Sequence, residues 1–346
     1  MPTQNEKEIK PILIGAILPL TGDAAMYGKS LQTGVNLALE LINEINKQMD
    51  IVFYDSKADP KTAVSAINKL ISFDKVEGII GDMFTSTTMA IAPIAQKDNT
   101  LLISPTASSS QITSIGDNIF RLYPSEVEEG EALSDFYKQK FQNDKTGIIV
   151  VNESAMLNVS DVIKNNCNRE VDFFTTYSPN IDNFKSIISK IPKDIKTLFI
   201  LGYFNESINL IKQCIELNKQ FNFLGLSTLY TPKLFELGVT HDNIFLTAPY
   251  FSIETEKANV KEFIYRYNEK FGKLPDVWAA YGFDATNIIF NVLEEAQEKG
   301  KRPSSVLNSL IEYPGVTGRL TINADRSISK EMKIVTIKDN AFIDAQ

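Results

Sequence analysis

Two short apolar runs joined by a helical pattern constrain the fold of this chain more than any other part of its sequence. Residues 76–81 (VEGIIG) and 101–104 (LLIS) have the length and composition of buried strands, and residues 88–97 suit a helix between them. Neighbouring parallel strands need such a crossover, which places both of their carboxyl ends at one edge of the sheet. The stretch therefore predicts an open α/β sheet.

Hydroxyl side chains follow both of these strands. Residues 85–88 read TSTT after the first strand, and residues 105–110 read PTASSS after the second. Open α/β sheets bind ligands outside the carboxyl ends of their strands, where helix N-termini also present free N–H groups. Because neither segment contains Lys or Arg, the pattern favours a small anion such as a carboxylate, held by uncharged donors. The alternative is that these residues only cap helices and form turns.

The same alternation of strands and helices continues along the chain in two halves. The first 110 residues read β-α-β-α-β-α-β, and the pattern restarts after residue 122. The late helices are too many for the second sheet alone, so we expect the chain to cross repeatedly between two lobes. The predicted strands are 11–18, 50–54, 76–81, 101–104, 119–122, 147–151, 171–175, 197–201, 221–226, 243–249, 315–323 and 332–338.

These patterns predict an α/β protein with two doubly wound parallel-sheet lobes, joined by a multi-strand hinge and with a ligand cleft between them. Lobe 1 is expected to contain residues 1–122 and 249–323, including both hydroxyl segments. Lobe 2 is expected to contain residues 123–248 and 324–346. A chain of 346 residues is long enough for two such lobes.

Composition excludes several classes of function. The net charge of −8 and the lack of a Lys/Arg stripe argue against a nucleic-acid partner. The single histidine, His241, lies in a polar loop, and the sequence has no cofactor fingerprint or cluster of metal ligands, so we expect no catalysis, cofactor or metal. Cys167 and Cys214 lie in predicted helices outside any CxxC motif. Buried free thiols are expected there, although spacing alone leaves a disulfide open.

Residues 22–30 (GDAAMYGKS) follow a strand and open a helix, as a phosphate-binding loop does. Five residues separate the two glycines, however, where the phosphate-loop pattern has four. Bulky Met26 and Tyr27 would also disturb the array of backbone N–H groups that such a loop needs. We therefore do not expect nucleotide binding.

The sequence shows neither the pattern of a membrane span nor that of an export signal. No stretch approaches the ~18 apolar residues of a membrane span. Residues 1–10 are polar and lack the apolar core of a signal peptide. Taken alone, these residues are compatible with a cytosolic protein and with an exported protein whose signal has been removed.

Six segments, taken in order and spacing, resemble one known family. They are IGAILPLTGDAAMYG (14–28), YDSKADPKTAV (54–64), GDMFTSTTMAIAPIA (81–95), LLISPTASS (101–109), AAYGFDA (279–285) and GVTGRLTINADRS (315–327). The chain resembles the periplasmic solute-binding proteins of branched-chain amino-acid ABC importers, the leucine/isoleucine/valine-binding type with the type I periplasmic-binding fold. Each segment is weak alone, but together they cover nearly the whole chain.

The resemblance implies ligand-binding residues in the first lobe. Its carboxylate clamp corresponds to Thr85 after the first strand, and to the backbone N–H of Thr106 and the hydroxyl of Ser108 after the second. The family's loop aromatic near the ligand corresponds to Tyr27. The clamp coincides with the hydroxyl segments that the strand pattern had already singled out.

The second lobe departs from the family pattern. An aromatic residue that precedes a glycine in the family falls on Met156 and Leu157, whereas the next aromatic position is kept as Tyr203. The family's acid for an α-amino group falls on Ser227, which cannot supply a charge. Because a buried ammonium without a carboxylate costs several kcal/mol, we expect a small carboxylate that need not be an amino acid. Alternatively, Glu126 or Glu153 binds the amine of an amino acid. A separate alternative for Met156 and Tyr203 is that they only pack in the protein interior.

The resemblance also implies a function. The chain is expected to be an extracytoplasmic binding protein, in the periplasm or an equivalent compartment, whose lobes close on a small carboxylate or amino acid. Its partners would be the permease subunits of an ABC importer, and a monomer is expected. Two alternatives stay open: a ligand-sensing subunit of the same fold, and, with little support, an enzyme.

Overall fold

The chain forms two α/β units in a computed structural model that describes residues 11–345 apart from 23, 46–47, 168–169, 232, 254, 325, 327 and 331. Unit 1 contains the chain up to Tyr123 and again Tyr250–Glu331. Unit 2 contains Pro124–Pro249 and Met332–Gln346. The chain therefore passes from one unit to the other three times, as the surplus of late helices predicted.

The first pass through unit 1 alternates strands and helices, in the order β1 (Ile12–Leu18), α1 (Ala25–Glu44), β2 (Met49–Asp55), α2 (Pro60–Lys69), β3 (Gly78–Gly81), α3 (Thr85–Asp98), β4 (Leu101–Ser104) and β5 (Ile119–Arg121). The strands form one parallel sheet of order β2-β1-β3-β4-β5. This is the predicted open α/β sheet. Helix α3 begins three residues earlier than predicted, so Thr85 lies in its first turn.

The chain then builds most of unit 2, in the order α4 (Glu126–Lys140), β6 (Lys145–Val151), α5 (Ser154–Asn166), β7 (Phe173–Tyr177), α6 (Lys185–Ile188), β8 (Ile195–Leu201), α7 (Phe204–Glu216), β9 (Asn222–Gly225), α8 (Lys233–Glu236) and β10 (Ile244–Pro249). The five strands among them pair in parallel with one another, in the order β10-β9-β8-β6-β7. The sequence therefore predicted the kind of sheet correctly in this half.

The return to unit 1 supplies α9 (Ala258–Phe271), α10 (Val277–Lys299), α11 (Pro303–Leu307), β11 (Tyr313–Gly315), β12 (Gly318–Ile322) and β13 (Ile328–Lys330). The three strands form a small antiparallel sheet. Since β13 pairs with β12, the last boundary between the units lies at 331/332 and not at the expected 323/324. The predicted single strand over 315–323 is wrong, because 316–317 interrupt it.

The last two strands, β14 (Met332–Lys338) and β15 (Ala341–Asp344), belong to unit 2. They extend its sheet beside β10 to the order β15-β14-β10-β9-β8-β6-β7. Both of their pairings are antiparallel. The expectation of a wholly parallel second sheet is therefore wrong at this edge, where β14 pairs with β10 after the chain returns from unit 1 and β15 follows β14 as a hairpin.

Alternating side chains divide the core of unit 1 between the two faces of its sheet. On β1, Ile14 and Ala16 face a cluster that includes Tyr281 and Ile289 of α10. Ile17 faces a second cluster, built from α2 and α3. This alternation is the period of two that a strand imposes, and it requires helices on both faces.

Two glycines fix the approach of α1 to α10. A Cβ atom on Gly34 would lie 1.8 Å from the carbonyl oxygen of Ala279, and one on Gly282 would lie 2.2 Å from that of Leu31. Only glycine permits such close backbone contact between the helices. The glycine of the AAYGFDA segment is thus explained by packing.

Candidate functional site

The candidate site of unit 1 lies where β3 and β4 end. These strands pair in parallel, with Ile80 opposite Ile103, so the chain leaves the sheet at the same edge after each of them. After β3 it runs through 82–84 into α3, and after β4 it runs through 105–112. The two hydroxyl segments therefore occupy adjacent strand ends, as predicted.

Hydrogen bonds join the two loops. Ser104 Oγ donates to the carbonyl oxygen of Asp82 (2.6 Å), and Thr106 Oγ1 donates to that of Met83 (3.0 Å). Ser104 Oγ also accepts from the backbone N–H of Ala107 (3.1 Å). Some of the predicted hydroxyls thus serve the loops themselves, which leaves a smaller set available for a ligand.

The donors that the resemblance had indicated are among those that stay available. The first backbone hydrogen bond of α3 runs from the N–H of Thr88 to the carbonyl of Phe84 (2.9 Å), so the earlier N–H groups of this helix lack helical partners. Among the described residues, no acceptor is found for the hydroxyls of Thr85 and Ser108 or for the backbone N–H of Thr106. Both hydroxyl-bearing residues are half-buried. Such a set can bind a carboxylate.

Charge around these donors is low. Neither 83–96 nor 99–116 contains a charged residue. Asp82 lies directly behind them and is fully buried. Burial raises the pKa of its carboxyl to about 6, although the nearby hydroxyls of Ser56 and Thr87 and the backbone N–H groups of Met83 and Phe84 oppose the shift. Within these two segments, the positive end of α3 is therefore the feature that favours an anion.

Tyr27 lies in the first turn of α1 and is half-buried. Its ring packs edge to face against Trp278, with 5.5 Å between centroids and 76° between planes. Trp278 lies in the first turn of α10. Residues 25–28 are helical, so they do not form the loop that phosphate binding requires. Asp23 of that segment lies outside the described residues.

In unit 2, Tyr203 directly precedes α7 and is 41% exposed. Its hydroxyl donates to Oε2 of Glu153 at 2.7 Å. This hydrogen bond, with burial and the carboxylate charge, raises the pKa of Tyr203 to about 12. Since β6 and β8 are paired, these two residues mark the carboxyl ends of neighbouring strands.

Ser227 is engaged by a buried acid that sequence reasoning missed. Its N–H and Oγ donate to the Glu129 carboxylate, at 2.8 and 2.7 Å, and Thr247 Oγ1 donates to the same group. Burial raises the pKa of Glu129, while these hydrogen bonds oppose the shift. In the sequence, Glu129 is indistinguishable from the acids that favour a helix start, because its partners lie 98 and 118 residues away.

Met156 is 3% exposed and belongs to the hydrophobic core of unit 2. Leu157 is half-buried against the same core. Both residues therefore pack against this core, and their contribution to a ligand site stays a prediction.

Metal ligands, cysteines, the histidine and membrane-spanning helices were also considered among the described residues. No group of three or more His, Cys, Asp or Glu side chains is arranged to hold a metal ion in the part of the chain that the structure describes. Cys167 and Cys214 are both buried, as expected. His241 is exposed. Within the described ranges, no helix has both the length and the apolar character needed to cross a membrane. Residues 1–10, considered for an export signal, lie outside the described residues.

Comparison with known proteins gives a family match over almost the whole chain. A family model described as periplasmic binding protein matches residues 11–341. Among curated relatives, the Leu/Ile/Val-binding protein homolog 3 of Brucella melitensis is 24% identical over 66% of this chain and 65% of that protein. The chain thus aligns to just under two thirds of that relative's length.

Solved structures with similar folds include two ligand complexes. A branched-chain amino acid transporter substrate binding protein from Streptococcus pneumoniae, in complex with isoleucine, is 23% identical, with a TM-score of 0.76 over 96% of this chain and 98% of that one. An ABC transporter solute binding protein from R. palustris, in complex with benzoate, is 19% identical, with a TM-score of 0.73 over 97% and 96%. At these identities the likeness establishes the fold.

Proposed function

The chain belongs to the periplasmic binding protein family, and from this premise we propose that it is an extracytoplasmic solute-binding protein that delivers a small carboxylate-bearing ligand to an ABC importer. The ligand complexes of the two similar structures contain isoleucine and benzoate. These molecules share a carboxylate and little else. The proposed ligand class is therefore carboxylates, amino acids included. Binding and delivery, and not catalysis, is the proposed role.

The observation that carries this proposal is the set of donors at the ends of β3 and β4. Thr85, Thr106 and Ser108, which we call the clamp, offer two hydroxyls and one backbone N–H beside the N-terminus of α3. A hydrogen bond to a charged group contributes about 1.5–3 kcal/mol. Three or four such bonds would supply much of the roughly 8 kcal/mol behind a micromolar affinity, before the cost of ordering.

Tyr27 and Trp278 are proposed as apolar neighbours of the clamp within unit 1. Their edge-to-face pair fixes both rings on helices that approach through Gly34 and Gly282. A rigid aromatic pair suits the apolar part of a ligand such as a branched side chain or a phenyl ring. Both of the ligands in the similar structures have such a part.

Tyr203 and Ser227 are the residues that we propose unit 2 contributes to the ligand site. They are compatible with an amino acid and with a carboxylate that has no amino group. Ser227 supplies no charge and already binds Glu129. Glu153, held by Tyr203, is half-buried and offers a carboxylate to an ammonium group. Closure of the two units on the ligand, and the permease subunits as partners, are proposed from the family resemblance.

A thermal-shift screen tests the proposal directly. Purified protein would be heated with each of the common L-amino acids, with benzoate and with aliphatic carboxylates. A ligand present at 100 times its Kd stabilises the folded protein by about 2.7 kcal/mol, so binders should raise Tm by several degrees. Neutral amides of the same molecules serve as controls. No shift with any carboxylate or amino acid would contradict the proposed function.

A further inference from the structure

One buried acid, Asp82, lies close to the clamp in the chain but is not one of its three donor residues. Asp82 follows β3 directly, is fully buried and is three residues from Thr85. Oδ1 of its carboxyl accepts from the backbone N–H of Met83, whereas Oδ2 has no hydrogen-bond partner among the described residues. An oxygen buried without a partner is costly, so its presence beside a proposed anion site needs an explanation.

Main-chain contacts make Asp82 the point where the two clamp loops meet. Its carbonyl oxygen accepts from Ser104 Oγ (2.6 Å) and from Thr88 Oγ1 (3.0 Å). The carbonyl of the next residue, Met83, accepts from Thr106 Oγ1 (3.0 Å). The conformation at 82–83 therefore sets the positions of both Thr85 and Thr106.

The surroundings of Asp82 contain uncharged donors and few charges. Ser56, from the β2–α2 loop, and Thr87, from α3, are the hydroxyls that face its carboxyl. Residues 12–22, 83–96 and 99–116, which flank it on β1, α3 and β4, carry no charge. On the β2 side the charged residues are Asp55, Lys57 and Asp59, and none of them is among the groups with the largest effect on the pKa of Asp82.

We propose that Asp82 is a positioning residue of the clamp that takes up a proton when a ligand carboxylate binds. The inference rests on the proposed function, because it assumes that an anion occupies the clamp. Two carboxylates in one small, uncharged site cannot both stay ionised without cost, so the ligand's charge favours the neutral form of Asp82. The neutral form can also donate from Oδ2, which gives the unpartnered oxygen a role.

The sign of the pH dependence follows from this coupling. Burial already raises the pKa of Asp82 to about 6 in the ligand-free protein, and a bound carboxylate raises it further. The complex then holds more protons than the free protein above pH 6, so affinity falls as pH rises through this range. Each unit by which the ligand raises this pKa weakens binding at high pH by about tenfold.

Isothermal titration calorimetry with L-leucine and with benzoate tests the inference. Each probe would be titrated at pH 5.5 and pH 7.5, in pairs of buffers with different ionisation enthalpies, because the difference between buffers counts the protons taken up. The carboxyl groups of both probes are ionised at both pH values. We expect weaker binding at pH 7.5, by about tenfold or more, and net proton uptake in the wild type.

Two variants complete the test. Asp82→Asn keeps the shape of the side chain but cannot titrate, so the pH dependence and the proton uptake should disappear. Asp194→Asn, which alters an exposed acid paired with Lys145 in unit 2, should keep the wild-type pH profile. A ¹³C NMR titration of aspartate carboxyls in the free protein, compared with Asp82→Asn, should show one signal with a midpoint near 6.

The outcomes separate this inference from the function on which it rests. Binding of a probe with equal affinity at both pH values and without proton uptake would overturn the inference and leave the function intact. Failure of both probes to bind at either pH would contradict the proposed function, and the inference with it. An Asp82 signal that titrates near the ordinary aspartate value, near 4, would overturn the inference without any ligand.

Discussion

Two hydroxyl groups of the clamp, on Thr85 and Ser108, can be removed without touching the structure around them. Neither hydroxyl has a partner among the described residues, whereas Ser104 and Thr106 each bind a neighbouring carbonyl. Loss of the free hydroxyls should therefore affect binding more than stability. This is the reverse of what is expected for Ser104, whose Oγ is fully bonded and buried.

We predict that Thr85→Ala and Ser108→Ala each weaken ligand binding by roughly ten- to 100-fold, because each removes one hydrogen bond to a charged group. Their Tm values should stay within about a degree of the wild type. Calorimetry with the ligand found in the screen measures the affinity. Ser114→Ala is the matched control. This exposed serine follows β4, as Ser108 does, but its hydroxyl donates to the carbonyl oxygen of Gln111 (2.6 Å). Wild-type affinity in both clamp variants would remove the clamp from the proposal.

At the scale of elements, a buried acid connects two distant sequence segments of unit 1. Asp284, on α10, accepts from the backbone N–H groups of Val316 (2.8 Å) and Thr317 (2.9 Å). Lys330 on β13 faces the same acid and donates to Thr317 Oγ1 (2.6 Å) and to the carbonyl of Leu122 (3.2 Å). Burial lowers the pKa of Lys330 to about 8, while the Asp284 charge opposes the shift. These contacts join the AAYGFDA segment, which contains Asp284, to the GVTGRLTINADRS segment, which contains Val316 and Thr317.

We predict that Asp284→Ala destabilises unit 1 by about 3–5 kcal/mol, because it leaves two N–H groups without their acceptor and removes the negative charge that faces buried Lys330. Urea denaturation followed by circular dichroism measures the loss. Glu295→Ala, on the same helix, is the control: its ion pair with Lys299 is exposed and should be worth less than about 1 kcal/mol. Equal midpoints for the two variants would show that the Asp284 network does not stabilise the unit.

The elements themselves were largely predictable from local pattern. Short apolar runs with the length of buried strands, separated by segments with helical spacing, identified the alternating α/β order. Asp59, directly before Pro60, has the local pattern of a helix start, and it caps α2 by accepting from the N–H of Thr62 at 2.8 Å. Positions that depend on distant contacts were not predictable. Thr85 was placed before α3 because the sequence does not show that Phe84, and not a later residue, precedes the helix.

At the scale of the whole molecule, the sequence predicted two α/β units and repeated passage between them, but not every boundary. Residues 328–330 were expected in the second lobe, yet they pair with β12. The clamp could be proposed from the sequence of unit 1, because its three residues follow two adjacent strands. In unit 2 it was not, because Glu129 meets Ser227 only after folding.

The central claim is that unit 1 binds a carboxylate through uncharged donors. Its most direct test is a calorimetric comparison of each ligand found in the screen with its primary amide, such as benzoate with benzamide, which has the same shape but no charge. Loss of the charge should weaken every clamp hydrogen bond, so we predict that the amide binds at least about 100-fold more weakly. An amide that binds as tightly as its acid would contradict the claim.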